Sequence, residues 1–65
     1  MLDLNKTQVK ICECLLRDMA NKEIAEELGF AHITIKMSIS NALSKNNLRT
    51  RTGLALAYYK EKFEC

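Results

Sequence analysis

Sixty-five residues, 48% of them hydrophobic and carrying a net charge of +2, bound one domain with one small core that needs efficient helix packing or self-association to be stable. No proline and only two glycines argue against turn-rich β structure and for uninterrupted helices. No apolar run approaches the ~20 residues of a bilayer span and no signal peptide opens the chain, so a soluble, cytoplasmic protein is expected.

The first helix has a complete start signal. Asn5 can cap, Gln8 occupies the reciprocal capping-box position, and Leu4 with Val9 can form a hydrophobic staple. The helix is predicted to run to about Asp18, burying Ile11, Cys12 and Leu15 with one edge of Val9. Cys12 and Cys14 lie two apart on that helix and point in different directions, so they cannot bridge each other. One Cys-x-Cys and the single His32 do not make a zinc site, and no metal or other cofactor is expected. Reduced thiols are the reading, with Cys65 at the terminus exposed and able to oxidise between chains.

A second helix is predicted over about Asn21 to Leu28. Ile24, Ala25 and Leu28 form its apolar face, and Glu23, Glu26 and Glu27 stay in solvent. Gly29 suits the left-handed turn that ends it. A third helix begins near Ala31 or His32 and runs to about Lys45, with Ile35, Ile39, Ala42 and Leu43 toward the core. Lys36, Met37, Ser40 and Ser44 then face outward, and short polar side chains let a helix approach base edges closely. Asn46-Asn47 can terminate it and return Leu48 to the core. Thr50 can cap a fourth helix, Arg51 to about Phe63, apolar around more than one face. Such a surplus at a terminal helix calls for a second partner, and another copy of the chain is the obvious one. The competing reading is that Tyr58 and Phe63 simply cover the back of the core.

The charge is unevenly placed. Residues 28–60 hold Lys36, Lys45, Arg49, Arg51 and Lys60 and no carboxylate, whereas residues 1–27 carry more acidic than basic side chains. A local basic surface of this kind suits a polyanion. Two helices joined by a tight turn, the second presenting Lys36, have the layout of a helix-turn-helix whose second helix enters the DNA major groove.

The order Leu4, Ile11, Leu15, Asn21-Lys22-Glu23-Ile24-Ala25, Leu28, Thr34-Ile35-Lys36, Asn41, Lys45, Leu48-Arg49-Thr50-Arg51 resembles the LuxR/GerE-type helix-turn-helix domain, over essentially residues 4–60 and with no gap. The resemblance implies an all-α, four-helix domain occupying residues 1–65, with the helix-turn-helix in helices two and three and helix four as a dimer contact. It implies base contacts from Lys36, Met37 and Ser40, and phosphate contacts from Asn21, Lys22, Thr34 and Lys45. The dimer contact is expected on Leu54, Ala57 and Tyr58. The chemistry agrees: Lys36 can donate to guanine O6/N7, Met37 can pack on a thymine methyl, and Ser40 can donate or accept. The positive N-terminus of helix two suits a phosphate.

Several positions depart from the family pattern. Ala20 and Ala31 stand where helices two and three usually have a Ser or Thr cap, each loss costing about 0.5–2 kcal/mol, although Asn21 can cap helix two one residue later. Asp18 stands where the pattern has Gly, which unsettles the turn after helix one. Asn46 replaces a core Leu, which would end helix three a turn early. Gln8 replaces Glu, and Ser38 replaces a common His. The basic content of the DNA face is thin, so weak binding per protomer is expected.

These features predict a stand-alone, homodimeric, sequence-specific transcriptional regulator of duplex DNA, bacterial or phage-encoded, with helix three in the major groove. The alternative is a protein-interaction module that heterodimerises with a larger LuxR-type regulator and removes it from DNA. A third is a partner of RNA polymerase resembling sigma region four. An enzyme is not expected: the one histidine has no carboxylate pair or nucleophile beside it, and no phosphate-binding glycine loop is present.

Overall fold

The computed structural model describes residues 2–63. Within them lie four helices, α1 (Lys6–Leu16), α2 (Asn21–Leu28), α3 (His32–Lys45) and α4 (Arg51–Phe63), and the described residues form no strand. The fold is all-α, with the boundaries of the last three helices where the sequence signals put them and α1 ending about two residues earlier than expected. Cys65 lies outside the described residues.

The start of α1 is held as its residues dictate. Asn5 Oδ1 accepts from the Gln8 N–H at 2.8 Å, and Gln8 Oε1 accepts from the Asn5 N–H at 3.0 Å. Gln8 is nonetheless buried, because its Nε2 also donates to the Ser38 carbonyl of α3 at 3.2 Å. The amide thus caps one helix and ties it to another. A carboxylate at this position could accept from Asn5 but would have no proton for Ser38.

The other expected caps differ. Ala20 and Ala31 are indeed the N-cap residues of α2 and α3, and neither makes a side-chain cap bond. Asn21 does not take over; instead Glu23 Oε1 accepts from the Ala20 N–H at 2.7 Å, half of a capping box whose other half an alanine cannot supply. At α3 the Ala31 carbonyl accepts from Thr34 and Ile35, and no side chain closes the turn. Thr50 Oγ1 accepts from the Gly53 N–H at 3.0 Å at the start of α4.

Three helices end by one device, a residue in the left-handed region: Asp18 (φ 59°), Gly29 (φ 78°) and Asn47 (φ 55°). The residue after each donates back to a carbonyl of the last turn: Met19 to Cys14 at 3.3 Å, Phe30 to Ala25 at 2.9 Å and Leu48 to Leu43 at 2.9 Å. This satisfies otherwise orphaned carbonyls. Asp18 therefore performs the turn that the family pattern gives to glycine, at the steric cost that Asp tolerates better than most residues. Asn46 does not shorten α3, which continues to Lys45. Its amide donates to the Ala42 carbonyl at 2.7 Å and to the Asp3 carbonyl at 3.1 Å, and its Oδ1 accepts from the Asp3 N–H at 2.7 Å. A polar residue replaces a core leucine by pinning the N-terminal segment to the end of α3.

Ile11, Cys12, Cys14, Ile24, Ala25, Ile35, Ile39, Ala42, Leu54 and Tyr58 form the core, with Leu4, Val9, Leu15, Leu28, Leu43 and Leu48 packed around it. α1 lies chiefly against α4 and α2 against α3. Burial pushes the Cys12 thiol up to about 11, with Glu13 adding to the effect. Burial likewise raises Cys14. Both are free, protonated core residues at neutral pH.

Candidate nucleic-acid interface

The helix-turn-helix is α2, the turn at Gly29 and Phe30, and α3. Its hydrophobic seam is Ile24 and Ala25 against Ile35 and Ile39, all buried. With those side chains turned inward, helical spacing sends Ile33, Lys36, Met37, Ser40 and Ser44 to the opposite side, and all five are exposed. The three expected base-contacting residues, Lys36, Met37 and Ser40, thus share one open face of a 14-residue helix.

The residues expected at phosphates are less uniform. Lys22 and Thr34 are exposed. Lys45 is exposed, with its ammonium 3.9 Å from the Asp3 carboxylate; so open a pair is worth about 0–1 kcal/mol and can yield to another anion. Asn21 is half-buried, and its side-chain oxygen accepts from Arg51 Nη1 at 2.7 Å. That oxygen is engaged inside the protein, which leaves Asn21 its backbone N–H and its amide nitrogen. The Glu23 carboxylate also sits against the first turn of α2, where it offsets the positive end of the helix.

Arg51 has a role that the sequence did not reveal. Besides Asn21 it donates through Nη2 to the Met19 carbonyl at 3.1 Å, so the first residue of α4 clamps the start of α2. α2 and α4 have no direct helix–helix packing, and the guanidinium supplies the link between them. A planar fork is suited to such a double contact. The Arg49-Thr50-Arg51 spacing marked the residue without indicating its partners, which are about thirty positions away.

Two of the three residues expected at a dimer contact are turned inward within the protomer. Leu54 is 1% exposed and Tyr58 8%, because α4 turns that stripe onto α1 and into the protomer's own core. Ala57 is half-buried. The apolar surface that α4 leaves open is instead Leu56 (57% exposed), Tyr59 and Phe63 (59% exposed). The Tyr59 and Phe63 rings lie 4.9 Å apart. The Tyr58 hydroxyl donates to Glu13 Oε2 of α1 at 3.0 Å, and Lys62 pairs with the same oxygen at 2.8 Å.

Two helices at a sharp turn, braced by two more and offering an open helix face, define a helix-turn-helix domain. Residues 3–58 match the family of bacterial regulatory proteins of luxR type, and the chain belongs to that family. It is 38% identical over 56 residues to the transcriptional regulatory protein LnrK of Bacillus subtilis (strain 168), a match covering 86% of this chain and 26% of that protein. The chain thus spans about a quarter of the length of this curated relative. No solved structure matches it. Membership places this domain with the DNA-binding helix-turn-helix domains of bacterial regulatory proteins. No helix among the described residues is long and apolar enough to cross a membrane.

Proposed function

We propose that this chain regulates transcription by binding duplex DNA sequence-specifically as a homodimer in the cytoplasm, with α3 of each protomer in the major groove. The observation that carries the reading is the open face of α3, where Lys36, Met37 and Ser40 stand together within a stretch, residues 28–60, that has no carboxylate. Lys36 donates to guanine O6/N7 and Ser40 to a neighbouring base edge or phosphate. Lys22, Thr34, Lys45 and the backbone N–H of Asn21 fix the helix on the phosphates.

Dimerisation joins two weak half-site contacts into one useful affinity. Thr52, Leu56, Tyr59 and Phe63 recur at intervals of four, three and four on the exposed side of α4, the spacing of a two-helix seam. The homodimer therefore pairs this stripe and Ala57 beside it, while Leu54 and Tyr58 support it from the core.

The same stripe favours a second reading, heterodimerisation with a larger regulator of this family and its removal from DNA. Selection from a random duplex library, with recovered sites titrated at two salt concentrations, separates the two. The DNA-binding reading requires a motif with two spaced half-sites and a steep salt slope. A chain that enriches no motif yet captures a larger luxR-type regulator acts by sequestration.

A further inference from the structure

We infer that the outer face of α3 reads thymine methyl groups through a pair of apolar side chains, Ile33 and Met37, and that the half-site carries thymines about two base steps apart. This rests on the DNA-binding reading above; it adds Ile33 as a specificity-determining residue and names the chemical feature that is read.

Ile33 is 59% exposed and Met37 58%. They are four residues apart in the first two turns of α3 and so share a face, and neither belongs to the core or to the apolar side chains packed around it. A solvated helix face normally carries charge, yet this one places two large apolar groups beside Lys36 and ahead of Ser40. Its occupant must accept apolar contact and complement the cation of Lys36 beside the pair, because Lys36 is exposed and no carboxylate lies on α3.

The major groove has that chemistry. Its walls are phosphates, and the thymine C5-methyl is the apolar group on its floor. The first turns of a recognition helix are the part that comes to the base edges. Residues four apart are separated by ~6 Å along a helix, close to two steps of ~3.4 Å along a DNA strand. Ile33 has no hydrogen-bonding group and Met37 only a weak acceptor, so the pair discriminates by methyl contact, leaving Lys36 and Ser40 to read polar edges.

The test uses the whole chain and a half-site recovered by selection, with each thymine replaced singly by deoxyuridine, which removes only the methyl. We expect a loss of roughly three- to fivefold in affinity at each of two positions, the worth of one buried methyl. Ile33→Ala should become insensitive to the substitution at one of them and Met37→Ala at the other. Because both side chains are exposed, the variants should keep the helical signal and melting behaviour of the parent. Specific binding that tolerates uracil everywhere, or an Ile33→Ala protein with the parent's uracil sensitivity, overturns the inference and leaves DNA recognition standing. Failure to recover any motif overturns both, and the apolar face is then a protein-docking surface.

Discussion

Ala31 leaves the first turn of α3 without a side-chain acceptor, although this helix bears the proposed base contacts. A serine there would add a side-chain acceptor to that turn, so Ala31→Ser should stabilise the fold by about 0.5–2 kcal/mol. A shift of the urea midpoint to higher concentration at unchanged slope is the expected readout. Lys36 makes no contact that the fold depends on and is exposed. Lys36→Ala should therefore leave the melting curve where it is and weaken specific DNA binding by about 1–3 kcal/mol; unchanged affinity in a titration removes α3 from the groove. The two substitutions separate what a residue does for the helix from what it does for the ligand. The sequence made both legible, since a missing cap and an outward lysine follow from local spacing. It did not make Asn21 or Arg51 legible, because their bond joins residues thirty apart.

At the scale of elements, the packing of α1 on α4 is fastened at the surface by Glu13, Tyr58 and Lys62. The Lys62 ammonium, then the Tyr58 hydroxyl, hold the Glu13 carboxyl below its ordinary 4.5. A depressed carboxyl contributes stability above its ordinary value and loses it as pH falls through the folded one. Lys62 is raised above 10.5, first by Glu13 and then by Tyr58. Tyr58 is raised above 10.0, first by burial and then by Glu13. Both contributions are complete below those ordinary values and fade as pH rises through the folded ones. The triad therefore supports the α1–α4 contact between about pH 4.5 and 10. Glu13→Gln should flatten the acid side of a stability profile taken from pH 7 to 3. A Gln variant that keeps the parent's acid slope assigns that slope to other carboxylates.

For the whole molecule, the division between core and open surface decides which substitutions report on assembly. Charging Leu54 or Tyr58 would place a carboxylate in the protomer's core and unfold it. Leu56→Glu with Tyr59→Glu instead alters the open stripe of α4. It should convert the proposed homodimer to monomers in sedimentation with little loss of helical signal, and a protein that stays dimeric moves the interface off α4. The core also determines thiol chemistry. With Cys65→Ser removing the terminal thiol, Cys12 and Cys14 should react with a disulfide reagent at pH 8 only as fast as the protein unfolds, since both are buried and protonated. Rapid reaction in the native state would mean that α1 opens locally.

Helix positions, the turn at Gly29, the Asn5–Gln8 cap and the family were determined by the sequence alone. Each depends on residues within about four positions of one another, or on spacings that local geometry translates directly into structure. The tertiary structure decided the rest. It assigned the apolar residues of α4 either to the core, as with Leu54 and Tyr58, or to solvent, as with Leu56, Tyr59 and Phe63. It gave Asn46 and Gln8 a second helix or segment to hold, and it turned Arg51 into a clamp. A helix that is apolar on several sides does not say which side a neighbour will cover, and a polar side chain does not say which distant carbonyl it will meet. Both depend on how the helices cross, which no local pattern encodes.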